Sequence, residues 1–298
     1  MSRWTLGVLG GSGLYAIDGL ENRQWVSIDT PWGTPSDDIL FADYGDVRLR
    51  FLPRHGRGHA LNPTRVNYRA NIDALKRAGC TDVLSISAVG SLKERYAPGH
   101  FVAVDQFIDR TFAREKSFFG PGCVAHVSVA DPVCYRLSGL AADAAERAGA
   151  TVHRPEDGRS LTYIAIEGPQ FSTRAESELY RRWGCDVIGM TNMPEAKLVR
   201  EAELPYATLA MVTDYDCWHP DHGSVDVASV IAILQQNAQT AGAAVRALCD
   251  ALSDQARTAC ASGIETNLDT AIITPPEARD PVLMAKLDAV MGRLASSL

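Results

Sequence analysis

The spacing of apolar and polar positions predicts a chain in which helices alternate with buried strands. Three segments with apolar residues at helical spacing each close on a glycine, and an apolar run typical of a buried strand follows at once. The glycines are Gly79, Gly149 and Gly184, in ANIDALKRAGCTDVLSIS, AADAAERAGATV and ELYRRWGCDVIGM. Because glycine readily adopts the left-handed conformation with which many helices end, these positions indicate helix C-termini.

Other segments extend this pattern on both sides. Two alternating apolar runs in ILFADYGDVRLRFLP surround Gly45 and Asp46 and predict a β-hairpin. Pro194 in PEAKLVREAEL is typical of the first turn of a helix, and YATLAMVT after it predicts another buried strand. A long amphipathic helix is predicted from Val225 to Leu252, and one further short helix in VLMAKLDAVMGRL near the C-terminus.

These elements predict an α/β fold with a central mixed β-sheet flanked by helices. No Pro-, Gly- or Ser-rich linker divides the chain, so we expect one domain over residues 1–298. From about residue 262 we expect an irregular C-terminal extension that contains TPPEARDP and ends in the short helix. The chain of 298 residues is 46% hydrophobic, which is enough to bury a large core.

Charge and composition exclude several classes of function. The formal net charge of -7 and the lack of any Lys or Arg run argue against a nucleic-acid partner. No stretch of about 18 consecutive apolar residues occurs, and the first residues, MSRWTLGVLGGSG, enter a Gly-rich turn before an apolar signal could form. We therefore expect a cytoplasmic protein without a membrane partner. Its seven scattered cysteines, with no C-x-x-C, are typical of reduced structural thiols.

The glycine-rich segment LGVLGGSGLYAIDG leaves three interpretations open. Gly11, Gly13 and Ala16 match the fingerprint G-x-G-x-x-A that follows a strand in NAD-binding folds, so an oxidoreductase is one candidate. A second interpretation is a loop whose backbone N–H groups, with the Ser12 hydroxyl, hold a small anion such as phosphate. A plain tight turn is the third. No helical apolar stripe follows before Trp32, which disfavours the dinucleotide site.

Several residues with anion-binding groups stand at the predicted ends of strands. Arg54 and His55 follow the second strand of the hairpin, where arginine offers a planar fork of donors for phosphate and histidine a further N–H. A solvated surface loop is the alternative for this pair. LSISAVGSL places Ser87 and the backbone of Ala88 at the end of another strand, and Thr191 stands just before a predicted helix. Together these positions predict a phosphate site.

Two aspartates, Asp214 and Asp216, follow the buried strand YATLAMVT. Aspartate is common where a strand turns, because its side chain binds the turning backbone. The C-terminal end of a buried strand is also where open α/β sheets place their chemistry, so a functional carboxylate pair is the alternative. The segment HPDH at residues 219–222 has metal-ligand residue types, but its proline prevents helical ligand spacing and we expect no metal there.

Six segments lie in order between about residues 5 and 250: GVLGGSGLY, RHGRGHALNPTRVNYRANIDALK, VDQFIDRT, IEGPQFSTRAES, VIGMTNMPEA and MVTDYDCW. As a set they resemble the 5′-methylthioadenosine phosphorylases of the trimeric purine nucleoside phosphorylase family. The resemblance implies a nucleoside phosphorylase-like fold with a partly barrel-like sheet, a homotrimer and no cofactor. The implied ligands are a small-molecule nucleoside and inorganic phosphate, which would be a co-substrate.

The resemblance also implies roles for individual residues. Phosphate would contact Ser12, Arg54, His55, Ser87, Ala88 and Thr191. The nucleoside would contact Met190 through its ribose and Phe171, Ser172, Asp214 and Asp216 through its purine. Val227 and Val230, at the start of the long helix, would form an apolar wall around the methylthio group. His126 would reach the substrate of a neighbouring subunit.

This assignment gives the acidic pair a chemical role. Cleavage of a purine N-glycosidic bond leaves negative charge on the base, and Asp214 at N7 would relieve it as an acid. Asp216 would accept a hydrogen bond from the exocyclic amine of adenine, whereas a 6-oxopurine would favour asparagine. The implied reaction is phosphorolysis of S-methyl-5′-thioadenosine to adenine and 5-methylthioribose 1-phosphate. The protein would then be a pentosyltransferase of purine and methionine salvage.

Alternatives stay open within and outside this class. A methylthioinosine phosphorylase or a general purine nucleoside phosphorylase would share most of the motifs, and Gly189 in VIGMT stands where some relatives carry a side-chain amide. A nucleotide-binding oxidoreductase and a non-catalytic ligand-binding protein are the candidates from other classes. Phosphate-dependent release of free adenine separates all of them.

Overall fold

Strands and helices alternate along the chain as the apolar pattern predicts. The structure, a computed structural model, describes residues 4–11, 14, 17–156, 158–220 and 227–295, with the backbone alone for 227–231 and 295. The strands in this part are β1 (Thr5–Gly10), β2 (Glu21–Val26), β3 (Ile39–Tyr44), β4 (Val47–Pro53), β5 (Asp82–Ser91), β6 (Phe101–Val104), β7 (Gln106–Arg110), β8 (Val152–His153), β9 (Thr162–Ile166), β10 (Val187–Gly189) and β11 (Tyr206–Asp214). The helices are α1 (Tyr68–Arg77), α2 (Tyr135–Arg147), α3 (Arg174–Arg182), α4 (Asn192–Glu201), α5 (Val227–Ser253), α6 (Leu268–Ala271), α7 (Pro281–Lys286) and α8 (Gly292–Ala295).

Strand β5 is the centre of a branched, mixed sheet. It pairs in parallel with β1 and with β11, and its last residues pair antiparallel with β10. One branch has the strand order β2-β3-β4-β1-β5-β10-β9-β7, and the other continues from β5 through β11 and β6 to β8. The predicted central mixed sheet is therefore confirmed, and among the described strands the pairing forms these two branches and closes no ring.

The three predicted helix ends are confirmed. Gly79, Gly149 and Gly184 follow α1, α2 and α3 with φ values of 77°, 89° and 84°. These values lie in the left-handed region, which a residue with a Cβ enters only at a cost. Strands β5, β8 and β10 follow within a few residues, so each connection is short and returns the chain to the sheet.

The hairpin, the start of α4 and the long helix also agree with the sequence. Strands β3 and β4 pair antiparallel across Gly45, which has a φ of 54°. In α4, Met193 is extended, with φ -122° and ψ 134°, so the regular helical turns begin at Pro194 as predicted. Helix α5 spans Val227–Ser253. The predicted start at Val225 lies outside the described residues.

The C-terminal segment differs from the prediction of one short helix. A turn separates helices α7 and α8, so the segment forms two helices. Asp288 lies in this turn, and its Oδ1 accepts the backbone N–H of Ala289 at 2.8 Å, a local bond that competes with the helical one. The guanidinium of Arg77 in α1 also binds both oxygens of the Asp288 carboxylate. The turn is thus attached to α1.

Two large apolar clusters hold the helices to the sheet. The first joins side chains of α1, α4 and the sheet, and it includes Leu287 and Val290 of the C-terminal segment. The second joins α2, α5 and the sheet, and it includes Ile264. The segment beyond residue 262 therefore packs against the same core as the rest of the described chain.

The cysteines and the other metal-ligand residue types take structural positions. All seven cysteines are free, and six of them are buried. In the segment at 219–222, His219 Nε2 lies 3.1 Å from a carboxylate oxygen of Glu94, while Asp221 and His222 lie outside the described residues. The described residues contain no cluster of His, Cys, Asp and Glu arranged to hold a metal ion. No helix in the described ranges has the length and apolarity needed to cross a bilayer.

Candidate active site

The carboxyl ends of several strands meet at a cavity of about 570 Å³. Residues that follow β1, β4, β10 and β11 line this cavity, together with the second half of β5. This is the edge at which an α/β sheet commonly binds its ligand. Most of the predicted site residues lie in the cavity wall. They are Arg54, His55, Ser87, Ala88, Phe171, Ser172, Met190, Thr191, Asp214 and Asp216.

The remaining predicted residues are Ser12, His126, Val227 and Val230. Ser12 lies outside the described residues, and so do the side chains of Val227 and Val230. His126 lies in the long connection between β7 and α2, where its backbone N–H donates to Ala271 O at 2.9 Å. It does not line the cavity of its own chain. Its assignment to a neighbouring subunit stays a prediction.

The long helix gives the cavity an apolar wall one and two turns beyond Val230. Leu234 and Ala238 of α5 line the cavity, and Met211 of β11 adds further apolar surface. Residues four apart lie on one face of a helix, so Val230, Leu234 and Ala238 share a face. Continuing the helical spacing from Val230 would have found both residues that the sequence interpretation missed.

Arg54 is buried in an ion pair with Glu195. Nε donates to Oε2 at 2.6 Å and Nη2 to Oε1 at 3.0 Å. Nη2 also donates to Ser85 Oγ and Leu9 O, and Nη1 donates to Ile86 O. The second N–H of Nη1 is the donor left without an acceptor among the described residues. Burial opposes the charged form of Arg54, but the Glu195 carboxylate raises its pKa, so the guanidinium stays charged.

Glu195 lies behind the cavity wall, where it orients Arg54, and the sequence interpretation missed it. Its Oε1 also accepts from the Tyr206 hydroxyl at 2.9 Å, and Asn192 Nδ2 donates to that hydroxyl at 3.1 Å. An acid in the first turn of a helix is ordinary, because it faces the positive end of the helix dipole. The helix dipole alone therefore explains an acid at position 195. The sequence does not indicate the ion pair, because Arg54 is 141 residues away along the chain.

His55 lies beside Arg54 with one ring nitrogen already used. Nδ1 is 2.8 Å from Leu61 O, and because a carbonyl oxygen only accepts, Nδ1 carries the proton. Burial, followed by the charge of Arg54, lowers the pKa of His55 to about 4. The ring is therefore neutral at neutral pH and offers Nε2 as an acceptor. The N–H that the sequence suggested for phosphate is used within the loop.

Three hydroxyl groups, those of Ser87, Thr191 and Tyr163, lie close together at the cavity wall. Ser87 Oγ in β5 is 3.1 Å from Thr191 Oγ1, and both side chains are buried in the cavity wall. The hydroxyl of Tyr163 in β9 lies 3.5 Å from Ser87 Oγ and accepts the backbone N–H of Thr191 at 3.3 Å. The sequence predicted Thr191 just before a helix, as observed, and Ser87 at the end of a strand, but β5 continues beyond Ser87 to Ser91. It gave no reason to choose Tyr163 among the apolar residues of a strand.

Asp214 and Asp216 lie side by side at the end of β11. The backbone N–H of Asp216 donates to Asp214 Oδ1 at 2.8 Å, and the Thr213 hydroxyl donates to Oδ2 at 2.7 Å. Gly90 of β5 makes room for both acids. A Cβ at Gly90 would lie 3.0 Å from Asp214 Oδ1 and 3.4 Å from Asp216 Cβ. The acids therefore pack directly against the backbone of β5.

Burial raises the pKa of both carboxyl groups. The pKa of Asp216 rises to about 6, and the neighbouring Asp214 carboxylate adds to the effect of burial. The pKa of Asp214 is also raised by burial, although the hydrogen bonds from Thr213 and from the Asp216 backbone oppose the rise. Two interacting carboxyl groups with raised pKa values are suited to share one proton near neutral pH.

The loop between β9 and α3 brings Phe171 and Ser172 to the cavity. Thr173 ends this loop as the first residue of a capping box. Its hydroxyl accepts the Glu176 N–H at 3.2 Å, and Glu176 Oε2 accepts the Thr173 N–H at 2.7 Å. Phe171 is 49% exposed, so its ring is accessible to a planar ligand.

A buried ion pair supports Met190 from behind. Arg114 Nε donates to Glu167 Oε1 at 2.9 Å, and Arg114 Nη1 donates to the carbonyl oxygens of Met190 and Met193 at 2.6 and 2.8 Å. Glu167 Oε2 in turn accepts the backbone N–H of Phe112 at 2.6 Å. This network joins the chain after β7 to the cavity wall. The sequence interpretation included neither member of the pair.

Comparison with known proteins gives the family to which this cavity belongs. The family model of the phosphorylase superfamily matches residues 5–250. The chain belongs to this superfamily. Membership favours the phosphorylase interpretation of the glycine-rich segment over the dinucleotide one, and it confirms the nucleoside phosphorylase-like fold.

Relatives within the phosphorylase superfamily match almost the whole chain. An S-methyl-5′-thioadenosine phosphorylase of Cereibacter sphaeroides is 61% identical over 289 residues, which are 97% of this chain and 98% of that protein. A crystal structure of a methylthioadenosine phosphorylase from an Antarctic soil metagenomic library has a TM-score of 0.89 and 44% identity, covering 97% of this chain and 99% of that one. A methylthioadenosine phosphorylase of Schistosoma mansoni in complex with adenine has a TM-score of 0.79 and 32% identity, covering 95% and 98%.

Proposed function

We propose that the protein catalyses phosphorolysis of S-methyl-5′-thioadenosine to adenine and 5-methylthioribose 1-phosphate. The observation that carries this proposal is the presence of two groups in one cavity. One group, Arg54, Ser87 and Thr191, offers hydrogen-bond donors to an anion, and the other, Asp214 and Asp216, is a buried acid pair. The relatives that are S-methyl-5′-thioadenosine phosphorylases support this substrate.

The spacing of the two groups suits a nucleoside. Ser87 and Gly90, against which the acids pack, are three residues apart in β5. Three residues span about 10 Å along a strand. A ribose fits between a phosphate at the Ser87 end and a purine at the Gly90 end, which places the anomeric carbon between nucleophile and leaving group.

At the phosphate end, phosphate oxygens would accept from the remaining N–H of Arg54 Nη1 and from the hydroxyls of Ser87 and Thr191. The backbone of Ala88 and the predicted Ser12 hydroxyl would lie beside these donors. Neutral His55 would accept through Nε2 from an oxygen that still carries a proton, because its N–H is bound to Leu61 O. The site therefore suits a partly protonated phosphate.

At the base end, the acid pair would donate one proton to N7 while the glycosidic bond breaks, and would accept from the exocyclic amine of adenine. The two hydrogen bonds that Asp214 receives favour its charged form, whereas the burial of Asp216 favours the protonated form. One proton shared by the pair meets both needs. Phe171 would stack on the purine, with Ser172 beside it, and Met190 would contact the ribose.

The third region of the cavity suits a thioether. Leu234 and Ala238 give it an apolar wall on α5, and the predicted Val227 and Val230 lie earlier on the same helix. A methylthio group is stabilised by apolar surroundings, whereas a 5′-hydroxyl needs a polar partner.

The reaction needs no metal or cofactor, because phosphate is the nucleophile and the acid pair supplies the proton. The expected cytoplasmic location stays a prediction.

A homotrimer would complete the site, with His126 placed at the substrate of a neighbouring subunit. Phe112, which is 81% exposed, and the exposed Ile273 and Val282 are apolar side chains suited to a subunit contact. Mixing inactive Asp214→Ala and His126→Ala proteins tests this arrangement, because mixed trimers contain sites with both residues intact. If both variants are impaired and subunits exchange, but no activity returns, His126 acts within its own chain.

The test of the reaction is phosphate-dependent release of free adenine. The purified protein is incubated with S-methyl-5′-thioadenosine with and without inorganic phosphate, and adenine and the sugar phosphate are measured. Methylthioinosine, adenosine and inosine serve as comparison substrates for the alternative phosphorylases. Adenine release that does not depend on phosphate, or no release at saturating phosphate, would overturn the proposal.

A further inference from the structure

The absence of a side chain at Gly189 admits the hydroxyl of Tyr163. Gly189 lies in β10 and Tyr163 in the neighbouring strand β9, where Tyr163 is paired with Val187. Because alternate residues of a strand face the same side, Gly189 shares a face of the sheet with Val187. A Cβ at Gly189 would lie 2.6 Å from Tyr163 Cζ and closer still to the hydroxyl oxygen. No larger residue fits at position 189 while Tyr163 keeps its place.

Tyr163 itself is fully buried and does not line the cavity. Its hydroxyl oxygen accepts the backbone N–H of Thr191 at 3.3 Å and lies 3.5 Å from Ser87 Oγ. Ser87 Oγ and Thr191 Oγ1 are 3.1 Å apart. The tyrosine hydroxyl therefore stands directly behind the two hydroxyls that face the cavity, and it contacts both residues that carry them.

A count of the protons on the Ser87 and Thr191 hydroxyls shows why the hydroxyl of Tyr163 matters for binding an anion. Without an anion, Ser87 Oγ can donate to Ala88 O at 3.3 Å and accept from Thr191 Oγ1 at 3.1 Å. When both donate to an anion, that bond is lost and the Ser87 oxygen no longer has a donor. The Tyr163 hydroxyl has accepted from the Thr191 N–H and still holds its own proton, which it can donate to Ser87 Oγ. A chain of hydrogen bonds of this kind strengthens each of its members.

We propose that Tyr163 is a positioning residue for phosphate, admitted by Gly189, that holds the Ser87 and Thr191 hydroxyls with their protons directed at the anion. This inference rests on the proposed phosphorolysis. It concerns the phosphate end of the cavity alone, because Tyr163 contacts neither acid nor the apolar wall in the described hydrogen bonds and ring contacts.

The first test is Tyr163→Phe, which removes one oxygen atom and keeps the ring. We expect the KM for phosphate to rise about threefold to tenfold, the range that one hydrogen bond represents, while the KM for the nucleoside changes less than about twofold. Tyr96→Phe is the matched control: Tyr96 is also fully buried, but its hydroxyl binds Asp186 away from the cavity, so both KM values should stay unchanged. An unchanged phosphate KM in Tyr163→Phe, or an equal rise in both KM values, would overturn the proposal.

The second test is Gly189→Ala, which displaces the hydroxyl from the other strand. Alone it should raise the phosphate KM at least as much as Tyr163→Phe. Combined with Tyr163→Phe it should add less to that KM than it adds alone, because the hydroxyl is already gone and only the clash of the new Cβ with the ring, at 2.6 Å from Cζ, remains. Full additivity of the two changes, or a normal phosphate KM in Gly189→Ala, contradicts the proposal, and this second variant keeps the test valid if Tyr163→Phe fails to fold.

A binding measurement separates this inference from the proposed reaction. Inorganic phosphate should raise the midpoint of thermal unfolding of the wild-type protein, and the rise should be smaller for Tyr163→Phe than for Tyr96→Phe at the same phosphate concentration. If the wild type binds phosphate but cleaves no nucleoside, the proposed function fails and this comparison still decides the role of Tyr163. If the three proteins respond equally to phosphate, the role of Tyr163 is refuted even when the reaction is confirmed.

Discussion

Arg54 and Glu195 form a two-point ion pair whose side chains are 2% and 1% exposed. The carboxylate takes Nε and one N–H of Nη2, so it holds the guanidinium in a single orientation. Glu195 is itself held by the Tyr206 hydroxyl. The donor that Arg54 would offer to an anion is therefore oriented by a carboxylate that lies on the far side of the same guanidinium.

Glu195→Gln should destabilise the protein strongly. Removal of one partner leaves the buried Arg54 charge without its counter-charge, which costs about 3–5 kcal/mol. The free energy of unfolding in urea measures this loss. Glu178→Gln is the control, because Glu178 pairs with Arg181 at 3.0 Å on the surface and should contribute at most about 1 kcal/mol. Equal losses in the two variants would show that the buried pair has no special role.

Gly90→Ala should damage the base end of the cavity and spare the phosphate end. The new Cβ would press on Asp214 Oδ1 and on Ile188 Cγ2, at 3.0 and 3.1 Å, so the acid pair must shift by a few tenths of an ångström. We expect kcat/KM for the nucleoside to fall on the order of tenfold or more, with little change in the KM for phosphate. Gly139→Ala, which has open space around its Cβ position, should leave both unchanged. A loss confined to phosphate would contradict this assignment.

Asp214→Asn should change the preference between purines. The amide cannot supply a proton to N7 as an acid does, so phosphorolysis of S-methyl-5′-thioadenosine should slow by about 100-fold or more. Methylthioinosine should lose less, because an amide placed at N7 can also donate to the adjacent 6-oxo group, whereas the exocyclic amine of adenine cannot accept such a bond. The ratio of kcat/KM for the two nucleosides measures the change, with the exposed Asp254→Asn as control. An unaltered ratio would remove Asp214 from the recognition of the base.

Asp216 should make the stability of the protein fall as the pH rises. Its pKa of about 6 in the folded protein lies above the usual aspartic acid value of 3.8, so the folded protein binds more protons than the unfolded chain between about pH 4 and pH 6. The contribution of Asp216 to stability is fully present below this window and is lost as the pH rises through it. Asp216→Asn removes the buried charge and should be more stable than the wild type at neutral pH, by at most about 3 kcal/mol.

Thermal unfolding at a series of pH values measures this effect. The difference between Asp216→Asn and the wild type should be largest at neutral pH and should disappear near pH 4. A difference that does not depend on pH would show that the variant acts through packing, and a less stable variant at neutral pH would show that the carboxylate is satisfied in the folded protein.

His55→Asn and His55→Ala should separate the two nitrogens of the ring. Asparagine keeps an N–H that can bind Leu61 O, where Nδ1 now donates, but it removes Nε2. We expect its stability to stay within about 1 kcal/mol of the wild type while the KM for phosphate rises. His55→Ala should lose stability as well, because the Leu61 carbonyl then lacks its donor. If the asparagine variant keeps the wild-type KM for phosphate, Nε2 has no part in binding the anion.

The sequence predicted residues of the cavity wall where an apolar run ends in a polar side chain. Arg54 and Asp214 could be predicted because β4 and β11 are visible as apolar segments and the ends of such strands meet at one edge of a sheet. Ser87 was also predicted at a strand end, but it lies within β5, four residues before its last residue, Ser91. The same pattern located the helix ends at Gly79 and Gly149, since helical spacing stops there.

The residues behind the cavity wall could not be predicted in this way. Tyr163 reads as an ordinary aromatic residue of a strand and Glu195 as an ordinary acid at a helix start, so neither differs from its background. Their roles depend on partners that the fold brings together, Thr191 for the first and Arg54 for the second. The sequence interpretation also missed the turn between α7 and α8, where Asp288 binds the N–H of Ala289 and makes a contact with Arg77 that exists only after folding.

Strand β5 fixes the distance between the two ends of the cavity, because it is paired with neighbouring strands along its length. Ser87 and Gly90, which mark the two ends of the proposed substrate, belong to one stretch of backbone held by β11 on one side. Their separation is a whole number of strand residues and cannot be adjusted gradually by exchanging side chains. One residue inserted between them would lengthen the gap by about 3.3 Å and turn the following side chains to the opposite face. Variation among enzymes built on this frame is thus expected at the ends of the strand, in the groups that read the base and the 5′ substituent, while the distance from anion to base stays constant.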